Sequence, residues 1–82
     1  RLSVNVKSRT GEMLAFEIFS KNIERLDVFL NGRPQKSVDV KEEITQITLD
    51  ISFSHLSVLE IQGFHEEHLV ASAKIDLSAN SH

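Results

Sequence analysis

Apolar and polar residues alternate with period two along almost the whole of this 82-residue chain, and that rhythm is the signature of strands with one buried face. "LSVNV" puts Leu2, Val4 and Val6 on one side, and "LAFEI" does the same with Leu14, Phe16 and Ile18. "LDVFL" repeats it with Leu26, Val28 and Leu30, and "ITLDISF" with Ile47, Leu49, Ile51 and Phe53. The last two runs are "LEIQG" (Leu59, Ile61, Gly63) and "ASAKIDL" (Ala71, Ala73, Ile75, Leu77). A helical period fits poorly. Only "SKNIERLDVFL" offers an i, i+3 pair, Ile23 and Leu26, and it runs straight into alternation.

Turn residues fall between these runs. Thr10-Gly11 separates the first two, and Lys41-Glu42-Glu43 is a charged turn. Asn31-Gly32 is the strongest hairpin signal, because both residues accept the positive φ of a type I′ turn. Pro34 has no N–H for a ladder, so the strand that follows belongs at a sheet edge, with Pro34, Lys36 and Lys41 as guards against further pairing. The pattern predicts strands at 2–7, 13–19, 25–30, 35–40, 45–53, 57–64 and 69–77. About seven short strands joined by turns make an all-β, two-sheet antiparallel β-sandwich, with a small barrel as the alternative. The length allows one domain, taken as 1–78, with 79–82 ("ANSH") as a C-terminal tail or linker.

Composition narrows the function classes. Twelve acidic against nine basic residues give a net charge of −3, and the cations form no stripe, which argues against nucleic acid. Cysteine is absent, so there is no disulfide and no thiolate metal site. Trp and Tyr are absent too, which removes the usual stacking platforms for sugars and single-stranded nucleic acids. No apolar run is long enough for direct insertion into a membrane as a helix.

The segment "RLDVFLNGRP" resembles the third strand of the immunoglobulin-like and fibronectin type III-like modules of bacterial cell-surface proteins and carbohydrate-active enzymes. "ITLDISFSHLSVLEIQGF" is similar to their penultimate pair of strands, and "HLVASAKIDL" to their closing strand. The cysteine pair, core tryptophan and corner tyrosine of true immunoglobulin domains are missing; Ser57 falls nearest the tyrosine, and His55 or Leu56 takes the place of the corner glycine. The resemblance implies an immunoglobulin-like sandwich and a non-catalytic part as a spacer or protein-docking domain of a larger bacterial, extracytoplasmic protein. The alternatives are a carbohydrate-binding accessory module of a secreted enzyme and an accessory β-domain of an intracellular complex. The partners implied are neighbouring domains of the same chain or another protein.

Several residues invite a site. "GFHEEHLV" holds His65, Glu66, Glu67 and His68, but a zinc-protease motif needs histidines at i and i+4 on a helix, and here they stand at i, i+3 between strands. A solvated hairpin is the expected reading, with the loop supplying a polar rim. His55, flanked by Ser52, Ser54 and Ser57, has no nucleophile elbow around it, and His82 is terminal. Asp27, Asp39, Asp50 and Asp76 stand singly on strands, without the loop spacing that calcium requires. Nothing calls for a cofactor. The informative residues are apolar side chains out of step with the alternation: Phe29, Val58, Phe64 and Val70 are expected to point outward as a contact patch. Phe29 is expected near Val58 at one end, and Phe64 near Val70 and Ile23 at the other.

Overall fold

A computed structural model describes residues 1–10, 12–51 and 58–77. It is all-β: β1 Leu2–Thr10, β2 Met13–Ser20, β3 Arg25–Leu30, β4 Arg33–Asp39, β5 Ile44–Asp50, β6 Val58–His65 and β7 His68–Asp76. One sheet has the order β1-β2-β5 and the other β4-β3-β6-β7, with every pairing antiparallel. The two sheets face each other across one core, as the alternation predicts.

That core is the inward row of each strand. Leu14, Phe16 and Ile18 of β2 meet Leu26, Val28 and Leu30 of β3 and Leu59 and Ile61 of β6, with Ile47, Leu49, Ile51 and Leu77 completing it. Each strand exposes one face to water, so a slip of one residue would turn this whole row outward; the pairing register is therefore strongly specified. Leu2, Val4, Val6 and Ile75 pack at the margin and are only partly buried. Ser20 continues the inward row of β2 and is buried (2% exposed), yet its hydroxyl has no hydrogen-bond partner among the described residues.

The strand ends depart from the alternation in physical ways. β1 runs on to Thr10 because a register shift between Val6 and Ser8 skips Lys7, after which pairing resumes to Met13. The polar run Lys7–Thr10 gives no hint of this. β4 begins at Arg33, so Pro34 lies inside the strand, opposite Phe29 and beside a second shift that leaves Gln35 without a register partner. An edge strand tolerates this, since the missing N–H is lost only where the ladder is already interrupted. β5 ends at Asp50, and Ile51, predicted as its next residue, is outside it, its N–H donating to the Glu12 carbonyl at 2.7 Å; Ser52 and Phe53, the corner at His55–Ser57 and the tail 79–82 lie outside the described residues.

Gly63 is required by a close approach. A Cβ there would stand 2.8 Å from Ile23 Cδ1 and 3.2 Å from its Cγ2. Ile23, expected among the outward residues, is instead buried in the core, because the segment between β2 and β3 folds in over Gly63. Gly63→Ala should therefore cost about 1 kcal/mol through overpacking. Ile23→Val removes the offending Cδ1, so it should recover most of that loss in the double variant. Urea denaturation of the four chains checks it; strictly additive effects would show that the contact is not the cause.

Candidate contact surfaces and the hairpin tip

β6 and β7 are joined by the tight hairpin expected of "HEEH". His65 and His68 are register partners, and Glu66 and Glu67 form the turn with φ of 50° and 66°. This is the left-handed pair of a type I′ turn, the same conformation that Asn31 (φ 53°) and Gly32 (φ 81°) adopt between β3 and β4. Two glutamates pay for it in sterics where asparagine and glycine do not.

Glu24, just before β3, and Arg25, its first residue, hold the tip. Glu24 Oε1 accepts a hydrogen bond from the Glu66 backbone N–H at 2.8 Å, and the Glu24 N–H donates to the Phe64 carbonyl at 2.8 Å. Arg25 Nη1 donates to Glu67 Oε1 at 3.0 Å and its Nε to Asp27 Oδ1 at 3.3 Å. Its guanidinium also lies 4.3 Å from the Phe64 ring centroid. The Glu67 hydrogen bond, with help from Asp27, raises the Arg25 pKa above its ordinary value. Asp27 in turn accepts from Ser37 Oγ at 2.8 Å, which ties the tip network to β4.

The histidines do not build a metal centre together. His65 Nε2 lies 3.4 Å from Glu66 Oε1 and its Nδ1 3.9 Å from Glu24 Oε2, while His68 is exposed on the neighbouring strand. Among the described residues no group of three His, Cys, Asp or Glu side chains is placed to hold a metal ion. Asp27, Asp39, Asp50 and Asp76 sit on four different strands. His55, His82 and the serines at 52, 54 and 57 lie outside the described residues.

The off-parity apolar residues divide into two groups on the outer face of the four-stranded sheet. Phe29 is half-buried between Pro34 and Glu60, and it lines an open groove of about 430 Å³ with Arg25, Asp27, Pro34 and Lys36. Val58 stands two positions before Glu60 on β6, so on the same face, opposite Asp76; it is 39% exposed and its N–H donates to Asn31 Oδ1 at 2.8 Å. At the other end Phe64 lies opposite Arg25 and Leu69, not Val70. A register shift between Gly63 and Phe64 skips Val70, leaving it 53% exposed. Between the two groups run the polar rows Asp27–Gln62–Ser72 and Glu60–Lys74.

Alternation also carried a signal for a further surface. Phe19 falls out of step with Leu14, Phe16 and Ile18, and Ile44 with Ile47 and Leu49. The two are direct register partners on the outer face of the three-stranded sheet, and both are exposed. Leu69, exposed beside the hairpin, had no such signal, because the shift at Val70 reverses its facing. Comparison of the chain with protein-family models, with curated proteins and with solved structures gives no match.

Proposed function

We propose that the domain is a non-catalytic, immunoglobulin-like module that docks and orients a neighbouring domain or protein partner. The observation that carries this reading is the outer face of the four-stranded sheet, where an apolar group lies at each end of a polar centre: Phe29 and Val58 at one, Phe64, Leu69 and Val70 at the other. Apolar anchors beside polar groups that can be satisfied on contact are the anatomy of a transient protein interface. The strand order supports the immunoglobulin-like reading, since the third, sixth and seventh strands share one sheet. The hairpin tip, with Glu66 and Glu67 facing solvent, would add polar contacts at the rim.

The test uses Val58→Asp and Val70→Asp, which alter exposed side chains and leave the core intact. Titrated with the domains that flank it in its parent protein, the unaltered chain should show amide shifts concentrated around these positions. Each substitution should weaken that binding by roughly tenfold, the effect of removing one anchor. Binding of equal strength in both variants would overturn the docking surface, whatever the partner.

A further inference from the structure

Among the described residues the sandwich has four edge strands, β1 and β5 in one sheet and β4 and β7 in the other. Three carry devices that obstruct a further strand. β4 contains Pro34 and a register shift. The free side of β5 is taken at Thr48, whose carbonyl accepts from Lys36 Nζ at 3.2 Å. β1 is interrupted at Lys7 and bears Lys7 and Arg9, the latter donating from Nη1 to the Leu77 carbonyl at 3.4 Å. β7 is the least obstructed: its shift at Val70 and its Lys74 leave Leu69–Ala73 without charge or proline, and beyond the shift it runs in unbroken register from Ala71 to Asp76. Among the described residues, no strand but β6 pairs with it.

We propose that β7 pairs antiparallel with β7 of a second copy of this chain, about a two-fold axis at Ala73, joining the two four-stranded sheets edge to edge. A second copy fits this edge in register and in charge. Centring on Ala73 sets Ala71 opposite Ile75 of the other copy, Ala73 opposite Ala73, and Ser72 opposite Lys74. Side chains of the same facing then meet: Ala71, Ala73 and Ile75 are the half-buried inward row, and Ser72 and Lys74 the exposed outward one. Small inward residues let the two backbones approach, and no like charges stand directly opposed. Centring on Lys74 would oppose two ammonium groups, which is destabilising. So short a seam falls at the small end of specific interfaces, so the dimer is weak, with a dissociation constant on the order of 0.1–1 mM.

Sedimentation equilibrium of the chain between about 10 µM and about 1 mM tests this. The weight-average mass should climb from monomer toward dimer across that range. Ser72→Lys places like charges across the seam twice and should weaken association by roughly tenfold, whereas Ser72→Glu places opposite charges there and should tighten it by a similar factor. Ser72 is exposed, so both variants keep the monomer fold, and thermal unfolding at low concentration verifies it. The order of the variants is decisive because net charge alone predicts the reverse: the chain carries −3, so Ser72→Lys lowers the repulsion between copies and Ser72→Glu raises it. A monomer throughout the range overturns the proposal. So does a dimer in which the two variants rank by net charge or do not differ.

Discussion

Phe16→Ala should remove about 3–5 kcal/mol of stability, a large share of what the domain has. Phe16 is the largest of the fully buried side chains, 1% exposed, and it sits on β2, the central strand of its sheet, between Val6 of β1 and Ile47 of β5. Truncating a buried phenylalanine costs about 3–5 kcal/mol, from lost transfer energy and from a cavity that close packing only partly closes. A domain of this size has about 4–12 kcal/mol in total. The loss is thus a large share of the stability and at the lower end nearly all of it. The ¹H–¹⁵N spectrum should collapse toward random-coil dispersion, or the urea midpoint should fall steeply with an unchanged slope. Phe19→Ala, three residues along the same strand but facing water, is the control and should change stability by about 0.5 kcal/mol or less. Equal effects at the two positions would mean that the alternation of β2 does not define the core.

That contrast shows what alternation can reveal. A strand with one buried face must repeat every two residues, so the seven strands and nearly all of the core were legible in the positions of Leu, Ile, Val and Phe. The register shifts were not. Each inserts a single residue, Lys7, Gln35 or Val70, into a strand whose partner has none, and a polar or edge position shows no break in pattern when the count changes by one. The shift at Val70 is the consequential one, since it moves Leu69 opposite Phe64 and divides the expected contact patch differently. Facing was also easier to read than coverage. Phe29 and Phe64 do lie on the outer face, but Pro34 beside one and the Arg25 guanidinium over the other leave both half-buried. Arg25 lies 39 positions before Phe64 in the chain, so only the pairing of β3 with β6 brings them together. Ile23 followed the same logic in reverse, being drawn into the core by the space that Gly63 leaves open.

Replacing the hairpin tip by the double substitution Glu66→Asn, Glu67→Gly should raise stability by about 2 kcal/mol. Both glutamates hold positive φ, a conformation that costs an L-residue with a Cβ roughly 1–2 kcal/mol and that Asn and Gly adopt with far less strain. The hydrogen bond from the residue-66 N–H to Glu24 is made by the backbone and survives the change. What is lost are the Arg25 contact with Glu67 and the His65 contact with Glu66, both made at the surface where water and salt screen them. The midpoint of thermal unfolding should rise by about 10 °C for a chain of this length. The opposite exchange at the β3–β4 turn, Asn31→Glu with Gly32→Glu, introduces the same strain and also removes the Asn31 Oδ1 that accepts from the Val58 N–H. It should therefore cost about 3 kcal/mol, more than the first exchange gains. If the tip exchange instead destabilises the domain, then the Glu67–Arg25–Phe64 contacts outweigh the strain of the turn, and the two glutamates hold the tip together. If it stabilises as expected, the glutamates are poorer than the available alternative for the fold, and the carboxylates they present to solvent become the feature that needs a functional account.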